Sequence, residues 1–204
     1  MRLPAVLLAL LVPACAHQRA LPVRYDLDSP SAHPVSGAQL HANIALAPIQ
    51  APSWLRTRAV LYRLDYETPA LTRAYAEREW TAPPTEMLTL RLRERIAAAN
   101  TGFTLERLPE KTAGYRLSVT LENFSQTFRS PQKSECVMTL SATVLRDGDE
   151  VVAQQIFRSE GEAPSANAAG AVEGLAHAAD ANFEQILAWL SASLPQQPAV
   201  ARTR

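Results

Sequence analysis

The sequence predicts an α+β fold, a mostly antiparallel sheet with two helices packed on one face. Period-two alternation of apolar and polar residues predicts half-buried strands at 115–128, 135–145 and 151–159. Apolar residues at helical spacing predict two long helices, one from the Pro83-Pro84 pair to residue 99 and one over 165–194. Because the strands follow one another with short connections, antiparallel neighbours are expected.

The first half of the chain predicts shorter elements. A compact apolar run at 43–49 is typical of a core strand, and 59–66 predicts a second strand with alternate residues on one side. A loop is expected to connect that strand to the double proline. Residues 103–105 predict a short strand, and Tyr25-Asp26-Leu27 a small docking strand.

Each helix carries its own boundary signals. Proline is tolerated in a first helical turn, so Pro83-Pro84 predicts the start of the first helix, whose charged residues are expected to face water: Arg91, Arg93, Glu94 and Arg95. Ser165 is the expected N-cap of the last helix. His177 and Asp180, three residues apart beside its apolar stripe, are interpreted as a surface pair rather than a catalytic dyad.

One face of the sheet has no predicted cover. On the 115–128 strand that face carries polar residues but ends with Phe124 and Phe128. Such an aromatic pair is either the rim of the core or a partner surface.

The amino terminus is typical of an export signal. Arg2 precedes an apolar run that is too short to span a bilayer, and residues 12–15 are similar to a lipobox, with Cys15 as the lipidated residue and Pro13 as a departure from the usual pattern. An ordinary secretory signal is the alternative. We therefore expect a signal peptide at 1–14, a lipidated tether at 15–39, one domain at 40–194 and a disordered tail at 195–204.

Composition and motifs argue against catalysis. The formal net charge is zero, so no basic field attracts nucleic acid. No phosphate-binding loop, nucleophile elbow or H-E-x-x-H motif occurs, and the carboxylates are dispersed. Cys136 shares a strand face with apolar residues and is interpreted as a buried hydrophobe. We expect no enzyme activity, no cofactor and no metal site, either at the scattered histidines or at the acidic turn around Asp147, which predicts a hairpin with Gly148.

Several segments together resemble a known family. Tyr62-Arg63-Leu64, followed by Pro69, Leu71, Tyr75, Trp80 and the double proline, is similar to the signature segment of the ABC-type transport auxiliary lipoproteins of the paraquat-inducible protein C type. The closing Ala181-Asn182-Phe183 resembles the last helix of that family. The likeness covers about residues 44–194, together with the lipobox.

This resemblance implies an outer-membrane lipoprotein that faces the periplasm of a Gram-negative bacterium. It implies partnership with a periplasmic subunit that carries a mammalian-cell-entry domain and with its ABC permease and ATPase, in a system that moves lipids or other hydrophobic molecules between membranes. Homo-oligomers are compatible with such assemblies. Two other interpretations remain open, a lipid-binding carrier module and an assembly factor for an outer-membrane barrel or lipopolysaccharide machine.

The aromatic residues of the signature segment are the candidate contact surface. Aromatic side chains are enriched at the centres of interfaces, and five of them lie within a short stretch: Trp54, Tyr62, Tyr66, Tyr75 and Trp80. Burial in the core is the competing interpretation, because aromatic side chains are so often buried.

Overall fold

A computed structural model describes residues 21–27, 39–107, 114–146 and 150–195. Within these ranges, eight strands form one sheet and two helices pack on it, which confirms the predicted α+β class. The strands are β1 (Val23–Tyr25), β2 (Ile44–Leu46), β3 (Ala59–Leu64), β4 (Thr72–Trp80), β5 (Thr104–Leu105), β6 (Tyr115–Ser130), β7 (Lys133–Arg146) and β8 (Glu150–Glu162). The helices are α1 (Pro84–Ala99) and α2 (Ala168–Ser193), with a short 3₁₀ turn at Ser53–Leu55.

The sheet is organised around β6. On one side, β6, β7 and β8 form an antiparallel meander. On the other side, β6 is shared by two parallel neighbours: β2 lies beside its beginning, where Ile44 pairs with Tyr115, and β3 lies beside its end, where Tyr62 pairs with Gln126. β5 extends the sheet beyond β2, and β4 and then β1 extend it beyond β3.

A β-bulge in β6 corrects the expectation for its aromatic pair. The register with β7 shifts between Leu121 and Asn123, so one extra residue changes which side chains face the helices. Phe124 and Phe128 therefore lie on the same face as Leu121 and are buried. They belong to the core side of the sheet, and the prediction that they end the polar face was wrong.

Helix α2 covers the meander. Its apolar stripe is buried, and Trp189 packs edge-on against Phe157 of β8 with ring centroids 5.4 Å apart. The fully buried Asn182 amide donates to the Met138 carbonyl of β7 at 3.2 Å, which ties the helix to the sheet. The cap of α2 is Asn167, whose side chain accepts from the Gly170 N–H, so the prediction of Ser165 as the cap was wrong by two residues.

The contact between α1 and α2 is ionic. Arg91 and Arg95 are buried and bind Asp180 of α2, at 2.7 and 2.6 Å, and Arg95 also binds Glu184. The expectation that these arginines face water was therefore wrong, and Asp180 is an inter-helix partner rather than half of a surface pair with His177. An arginine three or four positions from a residue of the apolar stripe lies beside that stripe on the helix surface. It is therefore at the edge of the contact between the two helices, where a carboxylate of the second helix can reach it.

Two further segments differ from expectation. The stretch 72–80, predicted as a loop, is strand β4, paired antiparallel with β3. The docking strand expected at Tyr25-Asp26-Leu27 lies two residues earlier, as β1, and pairs in parallel with β4. Leu27 is buried and its carbonyl accepts from Arg91, so the sheet begins within the range expected as a tether. Cys15, the tail from residue 196 and the turn at Asp147-Gly148 lie outside the described residues.

Candidate partner-binding surface

The site is built on the β3–β4 hairpin at one end of the sheet. Alternation in β3 places Tyr62 and Leu64 on the helix-bearing face. Strand β4 is irregular. Its register with β3 jumps from the Ala59–Glu79 pair to the Leu61–Ala74 pair, so four residues of β4, 75–78, lie opposite the single residue Val60. Within this bulge Glu77 has a φ of 54°, in the left-handed region. Tyr75 is the first residue of this bulge and lies on the same face as Tyr62.

Tyr62 and Tyr75 form an aromatic pair on this face. Their ring centroids are 4.5 Å apart, and Phe128 of β6 meets Tyr62 edge-on at 6.0 Å. Both tyrosines remain partly accessible, whereas Phe128 is buried beneath them. The pair is therefore fixed by the sheet on one side and open on the other.

A buried amide holds Tyr75 in place. Its hydroxyl donates to Oε1 of the fully buried Gln126 at 2.6 Å, and the Gln126 Nε2 donates to Ser134 Oγ at 2.8 Å and to the Ser165 carbonyl at 3.0 Å. Burial, followed by the neighbouring Tyr62, raises the pKa of the Tyr75 phenol well above its ordinary value. The hydroxyl therefore stays protonated and remains a donor across the physiological range.

We expect Tyr75→Phe to lower the free energy of unfolding by about 1–3 kcal/mol, because it leaves the buried Gln126 Oε1 without its donor. Urea denaturation followed by circular dichroism measures the change. Tyr62→Phe is the matched control: in the described part of the chain its hydroxyl has no hydrogen-bond partner, so its change should stay near zero. Equal effects of the two substitutions would argue against the network.

The other predicted aromatic residues lie elsewhere. Trp80 is 1% exposed and packs against Phe124 at 5.6 Å, so it is a core residue and cannot belong to an accessible surface in this structure. Trp54 is 43% exposed with the Arg63 guanidinium 6.0 Å from its ring centroid. Arg63 follows Tyr62 in the strand, so the two side chains point to opposite faces of the sheet. Trp54, which contacts Arg63, therefore lies on the face opposite Tyr62. Tyr66 lies in the turn between β3 and β4.

The five candidates therefore do not form one surface. Only Tyr62 and Tyr75 are brought together. Of the two residues that complete their surroundings, sequence reasoning missed Gln126 and placed Phe128 on the wrong face of the sheet. Both follow the bulge in β6, and the bulge reverses the face that simple alternation assigns to them. The sequence did contain one signal for Gln126, which lies two residues from both Phe124 and Phe128. Once both phenylalanines are placed in the core, the same alternation predicts that Gln126 is a buried polar residue.

The environment of the Cys136 thiol does not favour a catalytic role. Burial raises the pKa of the Cys136 thiol to about 12, with a smaller contribution from Glu135, so the thiol is protonated at neutral pH and is a poor nucleophile. The described residues contain no group of three or more potential metal ligands. Within the same residues, neither helix is long and apolar enough to cross a membrane.

The geometry defines a class of protein, an α+β domain with one mixed sheet, two helices and an accessible aromatic pair at one end. Solved structures share this fold. The chain belongs to the family of ABC-type transport auxiliary lipoprotein components, whose family model matches residues 25–187. The resemblance found in the sequence is thereby confirmed, and the family is described as an auxiliary component of ABC-type transport.

Three solved structures illustrate the shared fold at low sequence identity. A Xanthomonas campestris protein of the DUF330 family is 16% identical, with a TM-score of 0.66, over 86% of this chain and 94% of that one. An uncharacterized protein is 14% identical, with a TM-score of 0.62, over 85% and 98%. A hypothetical protein from Chlamydia trachomatis is 9% identical, with a TM-score of 0.51, over 76% and 98%. The comparison with curated proteins returned no match.

Proposed function

We propose that this chain is a non-catalytic accessory subunit of an ABC transport system that moves phospholipid or other hydrophobic molecules between two membranes. In this proposal, lipidated Cys15 anchors the domain to the periplasmic side of the outer membrane. The domain docks on a periplasmic subunit that carries a mammalian-cell-entry domain, while the permease and ATPase supply membrane passage and energy.

Membership in the family of transport auxiliary lipoproteins is the observation that carries this proposal. The lipobox-like residues 12–15 support lipidation, because several acyl chains at about 0.8 kcal/mol per buried CH₂ hold a folded domain at a bilayer. The absence of nucleotide-binding motifs from the sequence is compatible with an accessory role, since other subunits would then hydrolyse ATP.

The Tyr62–Tyr75 pair is the proposed docking surface. Tyrosine provides a large, rigid contact area together with a polar tip, and both rings are fixed before a partner arrives. Pre-ordering of this kind lowers the conformational entropy lost on binding. Trp54 is a more exposed aromatic residue on the other face, and it provides an internal comparison.

We expect Tyr62→Ala to reduce recovery of the transporter subunits at least several-fold, because it removes half of the stacked pair. The measurement is a mild-detergent pull-down of the tagged full-length chain from its native membranes, with mass spectrometry of the recovered proteins and lipids. Trp54→Ala is the matched control and should recover the subunits as well as the parent does. Melting temperatures of both variants show whether a loss reflects unfolding.

The outcomes separate the candidate functions. Recovery of a mammalian-cell-entry subunit with its permease and ATPase supports the proposal. A barrel protein in their place would favour the assembly-factor interpretation, and stoichiometric lipid alone would favour the carrier. Loss of the subunits from Trp54→Ala but not from Tyr62→Ala would move the docking surface to the opposite face.

A further inference from the structure

We propose that the tip of the β3–β4 hairpin, residues 65–71, contacts the surface of the phospholipid bilayer to which the chain is anchored. Tyr66 and Leu71 are the contacting side chains. The inference rests on the proposed lipidation of Cys15 and adds an orientation to it: this end of the sheet faces the membrane.

The direction of β1 is the first argument. β1 runs parallel to β4, with Val23 beside Arg78 and Tyr25 beside Trp80. β4 itself begins at Thr72, directly after the hairpin turn. Followed backward from Val23, the strand therefore points along β4 toward the hairpin tip, and Cys15 precedes this strand in the sequence.

The length of the connection is the second argument. Val23 follows Cys15 by eight residues, which span at most about 26–29 Å when fully extended. Arg24 lies beside Glu79, which pairs with Ala59, so β1 is level with the start of β3. From that level to Leu64 at the end of β3 is about 17 Å, so a straight chain places Cys15 just beyond the hairpin.

The opposite end of the sheet is a poor alternative. The pairing of Tyr62 with Gln126 puts Ala59 level with Asn123 of β6, and β6 begins at Tyr115, about 26 Å away at the usual rise per residue. To anchor that end, the connection would have to reverse its direction and then extend over its full length. The hairpin end requires neither.

The side chains at the tip suit a bilayer surface. Tyr66 is 42% and Leu71 is 46% exposed, and tyrosine favours the interface between lipid and water. The charged side chains around them are paired, Glu67 with Arg73 at 2.9 Å and Asp65 with Arg129 at 2.7 Å, which lowers the cost of approaching lipid; Arg129 is shared with Glu135. The tip alone would bind weakly, so the anchor supplies affinity and the tip supplies orientation.

Spin labelling of the lipidated full-length chain in vesicles of phosphatidylethanolamine and phosphatidylglycerol tests the proposal. A nitroxide is attached at Tyr66→Cys or, in a second variant, at Leu71→Cys, and its collisions with oxygen and with a water-soluble nickel chelate are measured. The control site is Ile156→Cys on β8, which is 64% exposed. Cys136 is buried and Cys15 carries lipid, so the label goes to the introduced thiol.

We expect a ratio of oxygen to nickel collisions several-fold higher at positions 66 and 71 than at position 156. Labels at 66 and 71 that are as open to nickel as the control, on a chain that floats with the vesicles, would overturn the orientation while leaving the anchor in place. Shielding from both reagents would overturn it in favour of a protein contact. A parent chain that fails to float, as Cys15→Ser should, would overturn the anchor itself.

Discussion

Asp180→Ala is expected to lower the free energy of unfolding by about 3–5 kcal/mol, because it removes the carboxylate that the buried Arg91 and Arg95 share and leaves Arg95 with Glu184 alone. Asp180 accepts from Arg91 through both carboxylate oxygens, at 2.7 and 2.8 Å, and from Arg95 at 2.6 Å. Both arginine side chains are about nine-tenths buried. Since a domain is stable by only about 5–15 kcal/mol, the loss should be plain in a urea denaturation curve.

Glu173→Ala is the matched control for this substitution. It removes a carboxylate from the same helix at an exposed position, and its effect should stay within about 0.5 kcal/mol. The Arg91→Ala and Asp180→Ala pair should be strongly non-additive, because either change alone breaks the same contact. An Asp180→Ala loss below about 1 kcal/mol would mean that water solvates the arginines and that the ion pairs contribute little.

The same ion pairs show where sequence reasoning succeeds and where it stops. The apolar stripes of α1 and α2 predicted both helices closely, because periodicity depends on local geometry alone. Whether Arg91 and Arg95 face water depends on what stands opposite them. That partner, Asp180, is 89 and 85 residues away in the chain and is identified only when the two helices meet on the sheet.

β-Bulges account for much of the remaining difference between the predicted and the observed strands. One extra residue in β6 changes the face of Phe124 and Phe128, and the residues opposite Val60 break the alternation of β4, so 72–80 did not read as a strand. A period-two pattern assumes an unbroken register and reverses after each bulge. The prediction of the candidate site was least accurate, because Tyr75 lies in the bulge of β4 and Gln126 lies beyond the bulge of β6.

The partner of the first strand was also beyond prediction, because it lies far away in the sequence. A small docking strand was expected at Tyr25-Asp26-Leu27, yet a three-residue strand carries too little pattern to show what it pairs with. Its place at the edge of β4 follows from tertiary contacts, including the bond from Arg91 to the Leu27 carbonyl. That placement bears on the proposed orientation, because it sets how many residues separate Cys15 from the first strand.

Gly174→Ala is expected to lower the free energy of unfolding by about 1–3 kcal/mol, although alanine normally favours a helix over glycine by about 1 kcal/mol. A Cβ at position 174 would lie 2.5 Å from the Cys136 Sγ and 3.0 Å from its Cβ. The thiol is held against the Gly170 and Ala171 carbonyls, and a rotation of the side chain cannot relieve the contact with its Cβ. Helix α2 would have to move away from β7, which weakens the core beneath it.

Gly161→Ala provides the matched comparison, because a Cβ there meets nothing within 4 Å although Gly161 pairs with Cys136 in the sheet. Its unfolding free energy should stay within about 0.5 kcal/mol of the parent value. Adding Cys136→Ala to Gly174→Ala should recover part of the loss, since it removes the sulfur and keeps only the contact with Cβ. If Gly174→Ala instead stabilised the chain, helix propensity would outweigh packing, and the close approach of α2 to β7 would not be what requires glycine at this position.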